Sequence, residues 1–413
     1  QGYSSAASDV YKRQITTKGS MSDYSFDGTV LGQHATVSDP VSGDQTWEKV
    51  VSKNLGLDLN MFNNRLSLTT DFYIRDTKGI LGKGKSLPSI YGASEPQMNA
   101  NNLRTKGYEL VLGWRDSFKL AGSTFSYGIT GTFSDYTAEY TKCDNPTGLI
   151  GDPYVGKKYG EIWGYKVDGL FRNDKEAAEY ASRIDLSTVA SGYYTATGAY
   201  GKGVRGGDIK YLDLNGDNIV NGGKGTLDDP GDRRVIGNSS PRYQYGASLN
   251  FSWYGFDVSV FMQGIGRLDW YPGADNLRFW GPYCRPYATF VPKNFMSQVW
   301  SEENPDAYFP RARAYTSLNS NSGTAYYTND RYLQNLAYCR LKNLTIGYTI
   351  PRRLTSKVGI KECRIYFSGE NLATWSALKS DFLDPEQAAA DSDKKANVYP
   401  WCKTYSIGLN LTF

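Results

Sequence analysis

Tyr405-Ser-Ile-Gly-Leu-Asn-Leu-Thr-Phe413 is the stretch whose reading decides the fold. On an extended strand Tyr405, Ile407, Leu409, Leu411 and Phe413 project to one face, and Ser406, Gly408, Asn410 and Thr412 to the other. An apolar, aromatic-ended strand with no tail to cover its edge is an aggregation hazard in water. It is safe where the edge is sewn into a closed barrel and the apolar face meets lipid.

The same alternation recurs upstream. Leu55, Leu57, Leu59 and Met61 alternate with polar or small residues, Asn63-Asn64 supplies a turn, and Leu66, Leu68, Thr70, Phe72 and Ile74 resume the pattern. Further sets are Tyr108 to Trp114, Phe125 to Phe133, Tyr243 to Trp253, Phe256 to Met262, Leu344 to Ile350 and Cys363 to Phe367. The connections near 62–65, 116–123, 254 and 351–360 read as short, whereas 77–104, 141–240, 267–335 and 372–402 read as long. Short and long alternate strictly, as in outer-membrane barrels with tight periplasmic turns and long extracellular loops. A soluble β-sandwich also alternates apolar and polar residues, but its loops do not sort so cleanly by side. Trp114, Tyr243, Trp253 and Tyr348 fall near strand ends, where interfacial aromatic girdles belong.

Composition agrees. The chain has 413 residues, 40% of them hydrophobic and 14% aromatic, with 33 Tyr and 44 Gly, which favours strands and turns over helices. A mean hydropathy of −0.51 and the lack of any apolar run near about 20 residues exclude transmembrane helices but not transmembrane strands. The net charge of +4 forms no basic stripe, so a nucleic-acid partner is not expected. Cys143, Cys284, Cys339, Cys363 and Cys402 show no C-x-x-C spacing and argue against zinc or redox chemistry, while one incidental disulfide stays open.

The expected fold is therefore all-β: the C-terminal part of a large antiparallel transmembrane β-barrel with long extracellular loops. About nine strands are legible, and bacterial single-chain barrels use even numbers, so an open fragment of about 9–10 strands is expected. Residues 1–14 (QGYSSAASDVYKRQ at 1–14) resemble translated adapter read-through and read as a non-native leader. Residues 15–53 read as a loop or partial barrel segment, and 54–413 as barrel.

Several segments together resemble the C-terminal half of SusC/RagA-like TonB-dependent transporters. They are Asn54-Leu-Gly-Leu-Asp-Leu-Asn-Met-Phe-Asn-Asn-Arg-Leu-Ser-Leu-Thr69, Thr105-Lys-Gly-Tyr-Glu-Leu110, Gly164-Tyr-Lys-Val-Asp-Gly-Leu-Phe171 and Gly207-Asp-Ile-Lys-Tyr-Leu-Asp-Leu-Asn-Gly-Asp217. Ile236-Gly-Asn-Ser-Ser-Pro-Arg-Tyr243, Gly255-Phe-Asp-Val-Ser-Val-Phe-Met-Gln-Gly264, Leu341-Lys-Asn-Leu-Thr-Ile-Gly-Tyr-Thr-Ile-Pro351, Ser368-Gly-Glu-Asn-Leu372 and the terminal strand complete the ordered set. The resemblance covers roughly 45–413. It implies outer-membrane import of glycan or peptide oligomers, a SusD-like surface lipoprotein partner, and energy from a TonB complex acting through a plug and TonB box upstream of this chain. It also implies insertion by the barrel-assembly machinery, with Tyr405, Ile407, Leu409, Leu411 and Phe413 as the C-terminal signal. Two other readings stay open: a structural or adhesive barrel without energy coupling, and a soluble β-sandwich that binds glycans.

No enzymatic constellation emerges. Gly79-Ile-Leu-Gly-Lys-Gly-Lys-Ser86 fits the phosphate-loop pattern, yet Pro88 follows at once and forbids the helix such a loop needs. His34, the single histidine, sits in a polar stretch and reads as a loop residue. Asp228-Asp229 and Glu302-Glu303 are adjacent in sequence and unlike a glycosidase pair. The best chemical motif is Asp213-Leu-Asn-Gly-Asp-Asn-Ile-Val-Asn221. Asp213, Asn215, Asp217, the Ile219 carbonyl and Asn221 follow the 1, 3, 5, 7, 9 spacing of a Ca²⁺ loop, with Lys224 where a bidentate carboxylate belongs. A structural Ca²⁺ and an Asn/Gly/Asp surface turn are both compatible with it. The aromatics of 267–335 (Trp270, Tyr271, Phe279, Trp280, Tyr283, Tyr287, Phe290, Trp300, Tyr308) suit sugar stacking or a partner, but packing within a long loop is the expectation for most. A short helix is expected from Asp174, capped by Asn173 or Asp174.

Overall fold

A computed structural model describes residues 45–82, 90, 96–194, 203–284, 291, 293–313, 317–318, 323–380, 383–389 and 401–413, and the backbone alone of 15–18, 34–37, 83, 195 and 316. Seventeen strands are present among these: β1 Ile15–Lys18, β2 His34–Val37, β3 Lys49–Met61, β4 Leu66–Lys83, β5 Gln97–Leu120, β6 Ser123–Lys142, β7 Glu161–Tyr165, β8 Val167–Leu170, β9 Ile209–Tyr211, β10 Arg233–Asn238, β11 Arg242–Trp253, β12 Phe256–Arg267, β13 Asp269–Trp270, β14 Gln334–Asn335, β15 Tyr338–Thr349, β16 Glu362–Ser376 and β17 Thr404–Thr412. Nine form one sheet in the order β3-β4-β5-β6-β11-β12-β15-β16-β17, with β3 and β17 as its edges. The other eight make two-stranded ribbons. The chain divides into two compact units, Gln1–Lys53, Tyr73–Lys106 and Thr137–Lys158 in one and Asn54–Phe72, Gly107–Tyr136 and Tyr159–Phe413 in the other.

Register turns the alternation of single strands into continuous rows. Tyr127 of β6 lies beside Phe251, then Val258, Ile346, Phe367 and Ile407 of β17. The next row runs Ile129, Leu249, Val260, Leu344, Gly369, Tyr405. Between them, on the other face, lies Gly128, Asn250, Ser259, Thr345, Ser368, Ser406. A one-residue slip at any interface would break every row, so the pattern itself fixes the register. Ile129, Leu249, Ile346 and Ile365 on the apolar face are 47%, 37%, 42% and 45% exposed although they sit in the middle of the sheet. Among the described residues no second sheet packs on them, which argues against the sandwich reading and leaves a face suited to lipid.

Short turns are set by local chemistry. Ala121-Gly122 and Tyr254-Gly255 each place both residues at positive φ (48° and 84°; 48° and 82°), the primed two-residue turn that matches strand twist. The two turns are stapled together: the Trp253 indole N–H donates to the Leu120 carbonyl at 3.2 Å, and the Tyr254 hydroxyl donates to the Ala121 carbonyl.

The strands exceed what alternation predicts. Residues 77–104 do not form one long loop, because β4 continues to Lys83 and β5 begins at Gln97. A membrane needs about 9–11 residues per strand, and β5 has 24. The extra length mixes Ile80, Leu81, Met98 and Leu103 with Lys, Asn, Gln and Arg without regular alternation, so it carries no period-two hydropathy signal. Side chains add to the ladder there: Asn102 accepts from the Gly79 N–H at 3.0 Å, and Arg104 pairs with Asp76 at 2.7 Å. Gly79 to Gly82 of the phosphate-loop match also lie in β4, while Gly84, Lys85 and Ser86 fall outside the described residues. His34 opens the strand β2 rather than a loop, and β3 starts five residues before Asn54. Residues 1–14 lie outside the described residues.

The apolar core sits in the long connections. Phe171, Leu186, Val189, Tyr193, Ile209, Tyr211 and Val220 of the β6–β11 connection pack with Phe279, Trp280, Tyr283, Trp300, Phe309 and Tyr332 of the β12–β15 connection. A wall whose two faces are lipid and lumen has nothing to bury, so ordered loops must supply their own core.

Candidate functional site

The polar face of the sheet is the first candidate surface. Near the short turns a groove of about 720 Å³ is lined by Arg65, Arg115, Asp116, Asn250, Ser252 and Asp257 among others. Arg65 pairs with Asp116 at 3.2 Å, and Arg115 Nε donates to the Asn64 carbonyl at 3.0 Å. A second hollow of about 460 Å³ lies further along the same strands, with Glu109, Thr132, Gln244 and Gln263 on its wall. Hydroxyl, amide and charged groups thus sit in both beside apolar neighbours such as Phe251 and Val258 in the first and Leu110, Phe133 and Ile265 in the second, a surface that can hydrogen-bond a ligand and also pack on it.

Arg340 ties a loop to this face. It pairs with Gln263 across the β12–β15 ladder and is only 1% exposed. Its guanidinium donates to Thr374 Oγ1 at 3.0 Å and Glu386 at 2.8 Å, and also to Asp384. Lys342 adds a bond to Glu386 at 2.8 Å, and Gln263 reaches the same carboxylate at 3.4 Å. Residues 383–389 are thereby latched onto the polar side of β12 and β15. The latch joins residues more than 40 apart, so no sequence motif announced it.

The loop module is held by a buried ion pair. Asp208 (0% exposed) accepts from Arg313 Nε at 3.0 Å and Nη2 at 2.6 Å and from the Arg205 N–H at 2.7 Å. Arg313 also lies over the Tyr193 ring, 4.1 Å from its centroid. Burial pushes the Asp208 carboxyl up to about 6 even though Arg313 pulls the other way. The Tyr193 hydroxyl is likewise pushed up to about 12 by burial. The helix Asp174–Ala181 is capped by Asn173, which accepts from the Glu176 N–H at 2.9 Å. Of the loop aromatics, Phe279, Trp280, Tyr283 and Trp300 are buried, and Trp270, Tyr271 and Tyr308 partly so, which is packing rather than a stacking platform. Tyr287 and Phe290 lie outside the described residues.

The Asp213–Asn221 loop has a defined geometry. Asp213 accepts from the N–H groups of Gly216 (2.7 Å) and Asn218 (2.9 Å), Asn215 from Asp217 (3.0 Å), and Asp217 from Ile219 (2.8 Å). Asn218 takes the left-handed conformation at φ 64°. Asp232, not singled out from the sequence, closes the loop: it accepts from Leu214 at 2.7 Å and Asn221 at 2.8 Å. Among the described residues no three His, Cys, Asp or Glu side chains converge as a metal cluster. Each loop carboxylate oxygen that accepts a single N–H keeps a lone pair, so the donor set of Asp213, Asn215, Asp217 and the Ile219 carbonyl remains compatible with a weakly held hard cation. Cys143, Cys339 and Cys363 are free thiols.

The terminal strand carries the expected signal residues on one face. Leu411 pairs with Cys363, Leu409 with Ile365, Ile407 with Phe367 and Tyr405 with Gly369, and Phe413 lies just past the strand, 72% exposed. The Tyr405 and Phe367 rings stack with centroids 6.2 Å apart.

No protein-family model matches the chain. It is similar to TonB-dependent receptor P3 of Formosa agariphila, with 25% identity over 95% of this chain and 36% of that protein. TonB-dependent receptor P26 of the same organism is 26% identical over 92% of the chain, and TonB-dependent receptor SusC of Bacteroides thetaiotaomicron 22% over 89%. Among solved structures, the RagAB peptide transporter superposes with a TM-score of 0.63 at 21% identity, covering 98% of this chain and 39% of that one. These are receptors and transporters by name, not enzymes. The chain spans 36% of the length of the first curated relatives it matches. It is a SusC/RagA-like stretch of transmembrane β-barrel wall with its extracellular loops, similar in sequence and fold to TonB-dependent receptors.

Proposed function

We propose that this chain forms wall and loops of an outer-membrane importer of nutrient oligomers, driven through TonB. The observation that carries the reading is the pair of faces on one sheet. The exposed apolar rows suit lipid, and the Ser/Thr/Asn rows with their charged grooves suit a hydrated passage. The similarity to TonB-dependent receptors over 95% of the chain supports energy coupling, and the SusC and RagAB likenesses support a SusD-like lipoprotein at the surface. Oligosaccharides and peptides both match a lumen of hydroxyl, amide and charged groups. The terminal strand supports handling by the barrel-assembly machinery.

The test is uptake in the source cell. Deleting the gene should abolish growth on one class of oligomer and leave its monomers usable, and dissipating the proton gradient should stop uptake in the wild type. Loss of attachment with unchanged uptake would instead support an adhesive barrel. Recovery of the whole protein in soluble form without detergent would sink the membrane reading.

A further inference from the structure

The connection between β15 and β16 differs from the other short turns. Pro351-Arg-Arg-Leu-Thr-Ser-Lys-Val-Gly-Ile-Lys361 forms a helical turn at Arg352–Thr355 and a second at Ser356–Val358, stopped by Gly359 at φ 74°. It is tied to the wall at both ends: the Ile350 N–H donates to Cys363 at 2.9 Å, and the Lys361 N–H to Thr412 at 2.8 Å. Thr355 is buried beneath it, so the segment is a fixed part of the barrel rim.

What it presents outward is unusual. Leu354 and Val358, four residues apart, are 60% and 71% exposed. Arg352, Arg353, Lys357 and Lys361 are exposed too, and none pairs with a carboxylate among the described residues. Lys361 shares its strand face with Cys363, Ile365 and Phe367, the lipid-facing parity, so a cation stands at the margin of the apolar rows. The other short turns carry fewer cations: Arg65 is paired with Asp116, Ala121-Gly122 has Lys119 alone beside it, and Tyr254-Gly255 carries no charge. A rim segment with two apolar side chains among four free cations, continuous with a lipid face, has the chemistry of an interfacial anchor.

We propose that Pro351–Lys361 is a docking surface for anionic phospholipid on the short-turn side of the membrane, with Leu354 and Val358 at the acyl boundary and the four cations on headgroup phosphates. It rests on the barrel reading above. The test uses the full-length protein, refolded in detergent and checked for folding by heat-modifiable gel migration. Bound lipid is counted by native mass spectrometry, and thermal unfolding is followed with added phosphatidylglycerol or phosphatidylcholine. Wild type should retain phosphatidylglycerol preferentially and unfold at a higher temperature with it. Each cation near an anionic surface contributes about fivefold in partition, so the R352Q/R353Q/K357Q/K361Q variant should lose at least about tenfold of the preference. L354S/V358S should weaken retention of both lipids. Equal retention of the two lipids by folded wild type, an undiminished preference in the four-site variant, or an equal effect of soluble glycerol phosphate would overturn the proposal. Failure of the wild type to fold in detergent or bilayers would instead count against the barrel reading.

Discussion

Asp257 of β12 and Arg364 of β16 form an ion pair across the strand that separates them. Arg364 Nε lies 2.9 Å from Asp257 Oδ1 and Nη2 lies 2.5 Å from Oδ2, a two-pronged contact on the polar face. It is made over Gly347 of β15, which pairs with Asp257 in the ladder. A Cβ at that glycine would sit 2.5 Å from both Asp257 Oδ1 and Arg364 Nη2, so the missing side chain is what lets the pair close.

Gly347→Ala should therefore part the two charges. The expected loss is about 1–3 kcal/mol, from steric strain and two partly covered charges left unpaired. Thermal unfolding in detergent reads it. Asp257→Ala/Arg364→Ala in the same background should make the added methyl nearly neutral. If Gly347→Ala is equally costly in that background, the pair is not what the glycine accommodates.

Legibility followed the membrane. Where a strand crosses lipid, as at Tyr243 to Trp253 or Tyr405 to Leu411, one parity must be apolar, and period-two reading located all nine wall strands. Beyond lipid both faces are wet, and β4 and β5 ran on through Arg104 and Asn102 with no hydropathy signal. Gly408 looked like a generic small residue. The Tyr366 ring lies where its Cβ would be, so any side chain there would have to push the ring aside. The candidate sites were legible only as far as they were local. The Asp213 turn is spelled out in nine consecutive residues, but its closing group Asp232 is 18 positions from Leu214, and the Arg340 latch and Asp208–Arg313 pair join distant segments.

Arg340 should behave as a keystone for residues 383–389. Arg340→Met removes a buried cation and strands Asp384, leaving Glu386 to Lys342 and Gln263, and breaking a buried pair from one side costs about 3–5 kcal/mol. Limited proteolysis should show new cleavage within 383–389, with cleavage in the β6–β11 connection unchanged. Arg340→Lys keeps a charge but not the fork, so it should fall between the two.

Asp208 gives the loop module a pH dependence of known sign. Its folded value is raised to about 6 by burial, above an unfolded value near about 3.9. A raised carboxyl binds its proton more tightly when folded, so its contribution is present below about pH 4 and is lost as pH rises through about 6. Asp208→Asn cannot titrate. Relative to wild type, the variant should gain about 2–3 kcal/mol of module stability between pH 4 and 7. Hydrogen exchange at the Arg205 N–H, which donates to Asp208, is the readout. A constant ratio across that range would show that Arg313 keeps the carboxylate ionised throughout.

The Asp213–Asn221 loop separates a fold role from a metal role. Asp232 accepts from Leu214 and Asn221 and is fully buried, so Asp232→Ala should open the loop at a cost of about 1–3 kcal/mol for the unsatisfied amides, with or without metal. We propose that Ca²⁺ adds to this frame weakly. Lys224 stands where a bidentate carboxylate would complete the shell, which places the expected dissociation constant in the range of about 10⁻⁴–10⁻³ M. Asp217→Asn keeps an oxygen acceptor for the Ile219 N–H and removes one charge, giving up only the bond from the Asn215 side-chain amide. Calorimetry should show Ca²⁺ heat in wild type and markedly less in that variant, while hydrogen exchange at the Ile219 N–H without metal stays the same in both. No heat at millimolar Ca²⁺ in the wild type would reduce the motif to a self-satisfied surface turn.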